Sequence, residues 1–135
     1  MIHRRHLLLG LGLALSLSIS AALPGAVSAA EFKPFTPAAF DAAKAAGRPI
    51  LIDVTAPWCP TCKAQHPILS GLEAQPRFKD LVVLNVDFDS QKDVLRQFNV
   101  RMQSTLIGFK GDRETARSTG DTKAASITQL LDTTL

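Results

Sequence analysis

The chain has 135 residues, is 46% hydrophobic and carries a formal net charge of +3. Two of its fifteen basic residues and none of its twelve acidic residues lie in the first thirty positions, so the rest of the chain is near +1. No basic tract follows residue 30, which argues against a nucleic-acid-binding protein. The roughly 105 residues that remain suffice for one compact domain and are too few for two.

The first thirty residues have the pattern of a secretory signal. Arg4 and Arg5 precede an apolar run that ends at Leu23, and small residues at cleavage spacing follow. We therefore predict a signal peptide over residues 1–30 and a periplasmic or otherwise exported domain over residues 31–135, with no membrane span after cleavage. An uncleaved anchor is the alternative, but the apolar run is short for a span. Twin-arginine and general export both stay open, because two arginines are present without the fuller twin-arginine pattern.

The remaining sequence alternates helices with buried strands, which indicates an α/β sandwich. Thr36 and Pro37 have the character of an N-cap and a first helical residue, and Gly47 ends that helix. The predicted elements, in chain order, are a helix over 37–46, a strand over 49–54, a helix over 60–73 interrupted by Pro67, a strand over 81–88, a helix over 90–98 with Ser90 and Asp93 at capping-box spacing, a strand over 104–109, an edge strand over 114–119 and an amphipathic helix over 122–135.

The only two cysteines, Cys59 and Cys62, stand two residues apart just after the first predicted strand. As a structural staple they would close a loop of four residues, for which chain entropy gives only about 2 kcal/mol. As a closed zinc site they would need four ligands, and His66 is the only histidine after residue 30. A thiolate metal site shared with a partner chain stays open.

A redox pair explains where these cysteines lie. Cys59 falls where a buried strand gives way to a helix, and the free N–H groups and dipole of that helix favour a thiolate and lower its pKa. Cys62 lies one turn further, close enough to attack a mixed disulfide on Cys59. Trp58 either shields one side of the site and offers a contact surface, or is a core aromatic.

Residues 50–69, ILIDVTAPWCPTCKAQHPIL, resemble the active-site segment of the thioredoxin family, with Trp-Cys-Pro-Thr-Cys in place of the usual Trp-Cys-Gly-Pro-Cys. The resemblance extends over residues 31–135. It implies the thioredoxin fold, an α/β architecture whose central mixed β-sheet is flanked by helices on both faces. It also implies a thiol–disulfide oxidoreductase that needs no bound cofactor, because its electrons travel as thiols.

The resemblance also assigns roles to residues. Cys59 attacks, Cys62 resolves and the two form a disulfide, while Asp53 accepts the Cys62 proton. An acid inside an apolar strand is costly unless it is paired, hydrated or protonated, so burial should raise its pKa. The alternative is a strand-end carboxylate turned to solvent. Trp58, Gln103 and Ser104 are the residues expected to contact substrate.

Protein disulfides are the partners that the resemblance implies, with a membrane thiol-electron transporter as the possible electron donor. A protein-disulfide reductase is the first interpretation and a disulfide-forming oxidase the second. From another class of protein, the alternative is a carrier of copper or another soft metal.

Two positions depart from the family pattern. Val83 stands where the family often has a lysine beside the acid, and Ser104 stands where it has a cis-proline. A cis bond before a non-proline residue costs roughly 3–4 kcal/mol, so the Gln103–Ser104 peptide is predicted to be trans. The Ser104 hydroxyl could bond the Cys59 thiolate, or the missing proline could leave the sulfurs open to metal. A proline at position 104 is expected to be tolerated, and His66 is expected on the helix surface.

Overall fold

The structure, a computed structural model, describes residues 29–135, so most of the predicted signal peptide lies outside the described residues. The elements are β1 (Glu31–Pro34), α1 (Pro37–Ala45), β2 (Pro49–Thr55), α2 (Pro60–Glu73), β3 (Val82–Asp87), α3 (Lys92–Gln97), β4 (Thr105–Lys110), β5 (Arg113–Thr119) and α4 (Ala124–Asp132), with a short 3-10 turn at Pro76–Phe78. Within this part of the chain, no helix is both long and apolar enough to span a membrane.

The five strands form one mixed sheet in the order β1-β3-β2-β4-β5. Strand β3 pairs in parallel with both β1 and β2, whereas β4 pairs antiparallel with both β2 and β5. The central position of β2 explains its nearly continuous apolar sequence, because both of its faces are covered. The carboxyl end of this central strand leads directly into the segment that holds the two cysteines.

Each face of the sheet packs against two helices, as predicted. Because side chains alternate along a strand, Ile52 faces one layer and its neighbour Leu51 the other. The first layer contains α1 and α3, and its core includes Phe35, Phe40, Ile50, Ile52, Val54, Leu84, Leu95, Phe98, Ile107 and Phe109. The second contains α2 and α4, and its core includes Leu51, Leu69, Leu72, Phe78, Val83, Leu106, Ile127, Leu130 and Leu131. Asp53 shares the second face.

Helix α2 has the predicted bounds, Pro60–Glu73, but the predicted interruption at Pro67 is wrong, because the helix continues through this residue. Proline removes one helical hydrogen bond, but Leu69 and Leu72 are buried in the core beyond it, and their packing holds the last turns in place.

The predicted N-cap of α1 is confirmed, because the main-chain N–H of Ala39 donates to Thr36 Oγ1 at 3.0 Å.

The predicted capping box at Ser90 does not form. Helix α3 begins at Lys92, and the Ser90 hydroxyl instead donates to Asp87 Oδ1 at 2.9 Å. The same carboxylate oxygen accepts the main-chain N–H groups of Asp89 and Ser90. The Asp87 carboxylate therefore stabilises the turn that follows β3, and Ser90 belongs to that turn and not to the helix cap.

Strand β1, which was not predicted, is only four residues long and mostly exposed.

Candidate active site

Cys59 and Cys62 form a disulfide at the start of α2, with their Cα atoms 5.3 Å apart. Cys59 is the N-cap residue, and its Sγ accepts the main-chain N–H of Cys62 at 3.1 Å. Pro60 occupies the first helical turn, where its missing N–H has no cost. The sequence therefore places Cys59 Sγ at the positive end of a helix, which favours its thiolate in the reduced protein.

Trp58 lies at the surface beside the disulfide. Its side chain is 55% exposed, and its indole N–H donates to Asp89 Oδ2 at 2.8 Å. The edge of its ring meets Phe88, with centroids 6.4 Å apart. Trp58 is therefore a surface residue whose ring is fixed by these two contacts, and it is not part of the core. Both cysteines beside it are buried.

Ser104 brings a buried hydroxyl to the disulfide. Ser104 Oγ lies 3.4 Å from Cys59 Sγ and also 3.4 Å from Cys62 Sγ. Among residues 29–135 no peptide bond is cis, so the predicted trans peptide before Ser104 is confirmed. Ser104 has a φ of 61°, a left-handed conformation that the sequence did not predict. Gln103, which precedes it, is half-buried.

Three hydrogen bonds hold the Ser104 backbone in place. Its N–H donates to the Val54 carbonyl at 2.8 Å, and its own carbonyl accepts the N–H of Gly120 at 2.9 Å. The side-chain amide of Gln65, on α2, also donates to that carbonyl at 3.3 Å. These contacts come from β2, from α2 and from the end of β5, and they offset the cost of a left-handed serine.

Asp53 is buried in β2, so the alternative of a solvent-facing carboxylate is wrong. Burial raises its pKa to about 7. The side chain of Asn85 opposes this rise in pKa, and the Glu73 carboxylate adds to it. Within residues 29–135, Asp53 Oδ1 has no hydrogen-bond partner. A carboxyl group that titrates near neutral pH suits proton exchange with a thiol.

The residue of β3 that faces Asp53 is Asn85 and not Val83. Asn85 is the register partner of Asp53, whereas Val83 pairs with Leu51 inside the apolar core. The Asn85 amide donates to the Asp53 main-chain carbonyl at 3.3 Å and to Thr55 Oγ1 at 2.9 Å. Sequence reasoning missed Asn85, although the polar side chain inside an apolar strand was the available signal.

A cavity of about 570 Å³ connects Asp53 with the surface of α2. Asp53, Cys62 and Asn85 line it from within. Lys63, His66 and Glu73 bring the other charged or titratable side chains that line it, all from α2. Burial raises the pKa of Glu73 as well. Most of the lining is apolar, but Lys63, His66 and Glu73 offer hydrogen-bond partners to water at the open side, which gives a proton taken from Cys62 a route to solvent.

His66 is exposed on α2, as predicted, and its Nδ1 lies 3.1 Å from Ser70 Oγ. Over the described range 29–135, no three His, Cys, Asp or Glu side chains cluster closely enough to hold a metal ion.

Comparison with known proteins agrees with this geometry. The thioredoxin family profile matches residues 31–133. The chain belongs to the thioredoxin family. It is 34% identical over 103 residues to the H-type thioredoxin of Oryza sativa, covering 76% of this chain and 83% of that protein. It is 37% identical over 82 residues to the thioredoxin of Chlamydia trachomatis, covering 61% of this chain and 78% of that one.

Solved structures show the same similarity. The crystal structure of Trxlp from Edwardsiella tarda is 46% identical, has a TM-score of 0.73, and is matched over 75% of this chain and 98% of that one. Oxidised thioredoxin O2 of Arabidopsis thaliana shares the fold at 22% identity with a TM-score of 0.62, over 78% of this chain and 93% of that one. This thioredoxin-family chain is a thiol–disulfide oxidoreductase, and Cys59 and Cys62 form its disulfide.

Proposed function

We propose that the protein is an exported, periplasmic protein-disulfide reductase. Cys59 attacks one sulfur of a substrate disulfide, the substrate S–S bond breaks, and the second substrate sulfur leaves as a thiolate. Cys62 then attacks Cys59 Sγ, the bond from Cys59 to substrate breaks, and the Cys59–Cys62 disulfide forms. Two electrons pass to the substrate, which leaves as a dithiol.

The observation that carries the reducing direction is the buried Asp53, which lines the same cavity as Cys62. In a reductase, Cys62 must lose its proton while the substrate is still attached to Cys59. An acceptor whose pKa is about 7 supports that step at neutral pH. An oxidase has less need of a base here, because Cys62 leaves as a thiolate and the second thiol of the substrate resolves the complex.

A disulfide-forming oxidase is the second candidate, and a different observation favours it. Cys59 Sγ receives the Cys62 N–H at 3.1 Å and lies 3.4 Å from the Ser104 hydroxyl. Donors that stabilise the thiolate stabilise the reduced protein, which makes the pair more oxidising.

The periplasmic location rests on the signal pattern of residues 1–30. A reductase outside the cytoplasm needs a continuing supply of electrons. Since this chemistry moves electrons as thiols, we include a membrane thiol-electron transporter in the proposal as the donor. Trp58 offers such partners an exposed aromatic surface next to the disulfide.

The deciding experiment is the reduction potential of the Cys59–Cys62 pair, measured by equilibration with glutathione. A value near the roughly −270 mV of reducing thioredoxins supports a reductase, and one near the roughly −120 mV of strong periplasmic oxidants supports an oxidase. Insulin reduction and oxidative refolding of a reduced protein give the matching activities. Metal content after purification tests the carrier alternative, and stoichiometric copper or zinc with neither activity would overturn the enzyme proposal.

A further inference from the structure

We propose that the Ser104 hydroxyl is a catalytic hydrogen-bond donor shared between the two sulfurs of the redox pair. It bonds the Cys59 thiolate before that sulfur attacks, and it bonds the Cys62 thiolate when that sulfur carries the charge. The inference rests on the proposed function only in requiring thiol–disulfide exchange at this pair, and it holds for either direction.

The Ser104 hydroxyl lies equally close to the two sulfurs. Its oxygen lies 3.4 Å from each sulfur, within hydrogen-bonding range for sulfur. A disulfide sulfur carries no proton, so only the serine can donate, and its single O–H can turn toward either sulfur. A single donor placed equally between two sulfurs can follow the negative charge from one to the other without moving its backbone.

The environment of the hydroxyl supports the same role. Ser104 is buried, with 2% of its surface exposed, as are both cysteines. Hydrogen bonds to a charged acceptor are stronger than those to a neutral one, and exclusion of water strengthens them further. A buried hydroxyl facing a thiolate therefore stabilises that thiolate more than a water molecule at the surface would.

The backbone conformation of Ser104 also favours this role. Ser104 adopts φ 61°, a conformation that is unfavourable for a residue with a side chain. Glycine would fit this conformation better, yet the position holds a residue whose hydroxyl reaches both sulfurs. Residues in sparsely populated backbone conformations cluster at active sites, where the surrounding contacts hold their side chains in position for the reaction.

The mechanism balances without a further reactant. Ser104 keeps its proton throughout and forms or breaks only hydrogen bonds. The Cys62 proton goes to Asp53, and the electron pairs move only between sulfurs. When a donor dithiol reduces the protein, its thiolate attacks Cys59 Sγ, and Cys62 leaves as a thiolate that accepts a hydrogen bond from Ser104. The second thiol of the donor then attacks the donor sulfur bound to Cys59, so Cys59 leaves as a thiolate and the donor leaves as a disulfide.

The test uses Ser104→Ala and Ser104→Gly, with Thr119→Val as the matched control. Both serine variants remove the hydroxyl, but they differ in backbone preference, since glycine suits φ 61° and alanine does not. Thr119→Val removes a neighbouring hydroxyl that lies 3.0 Å from Thr105 Oγ1 and contacts neither sulfur. The readout is the midpoint of the pH–rate profile for alkylation of Cys59 by iodoacetamide in the reduced proteins.

We expect that midpoint to rise by roughly one pH unit in both serine variants, the size expected for loss of one hydrogen bond to a charged group. Thr119→Val should match the wild type. An unchanged midpoint in both serine variants would overturn the proposal, and a shift in alanine alone would assign the effect to the backbone and overturn it equally. Because iodoacetamide replaces a protein substrate, the result stands even if the protein proves not to be a reductase.

Discussion

Asp53 lies directly opposite Asn85 in the parallel pairing of β2 with β3. The Asn85 amide donates to the Asp53 main-chain carbonyl and to the Thr55 hydroxyl, and no residue in the described part of the chain hydrogen-bonds Asp53 Oδ1. The residue that β3 places beside the acid is Asn85 and not a lysine, and Val83 lies in the apolar core. Burial therefore dominates the pKa of Asp53, and three predictions concern its proton.

The first prediction is that the stability of Asp53→Asn relative to wild type increases as pH rises from 4 to 8. The pKa of Asp53 rises from 3.8 to about 7 on folding, so its stabilising contribution is complete below pH 4 and is lost as pH rises through 7. At pH 8 the variant should gain up to about 4 kcal/mol relative to its difference from wild type at pH 4. Urea unfolding at both pH values measures this gain. Asp80→Asn, at an exposed carboxylate, is the control, and parallel stability–pH curves for wild type and Asp53→Asn would contradict the prediction.

The second prediction separates the two chemical steps. Asp53→Asn should slow resolution by Cys62 roughly a hundredfold at pH 7, because the thiol loses its proton acceptor. The first attack by Cys59 should stay nearly unchanged. Release of thionitrobenzoate from a preformed mixed disulfide on Cys59 measures resolution by Cys62. Reaction of the reduced protein with the symmetrical disulfide of thionitrobenzoate measures the first attack by Cys59. Equal slowing of both steps would mean that Asp53 acts through stability or general electrostatics.

The third prediction concerns Glu73, whose carboxylate raises the pKa of Asp53. Asp53 and Glu73 are the two acidic residues that line the cavity, together with Lys63 and His66. Glu73→Gln removes one like charge and should lower the midpoint of the resolution pH profile by a few tenths of a unit. Glu114→Gln, on β5, is the control for a general change in charge. A midpoint that does not move, or that rises, would show that the two acids are not coupled.

Local chemistry accounts for the parts of this structure that could be predicted from the sequence. The N-cap at Thr36 and the extent of α2 depend on residues within one helix, and alternation along β2 places Asp53 against α2. The misses have two different causes. The Ser90 hydroxyl bonds Asp87, three residues earlier in the chain, and this competing local contact replaces the predicted helix cap. Strand β1 forms because it pairs with β3, which lies about fifty residues away in the chain, and that pairing depends on the assembled sheet.

The fourth prediction is that Cys59 is the reactive thiol of the reduced protein. Its Sγ lies at the helix N-terminus and accepts the Cys62 N–H, whereas Cys62 lies inside the first turn. Alkylation with limiting iodoacetamide at pH 6 should label Cys59 at least roughly tenfold faster than Cys62. Peptide mapping by mass spectrometry identifies the labelled site. Preferential labelling of Cys62 would reverse the two roles.

The last prediction is that Ser104→Pro destabilises the protein, contrary to what the sequence suggested. Proline fixes φ near −65°, whereas Ser104 has φ 61°, and proline lacks the N–H that bonds the Val54 carbonyl at 2.8 Å. Loss of that bond and rearrangement of the loop should together cost roughly 2–4 kcal/mol in the free energy of unfolding. Ser104→Gly is the matched variant, because it keeps the N–H and fits the backbone, so it should be about 1 kcal/mol more stable than Ser104→Ala. Thermal and urea unfolding of the three variants measure this order. A proline variant as stable as wild type would mean that the chain adopts the cis loop of its family at little cost, and the left-handed serine would then be a local alternative and not a requirement of this fold.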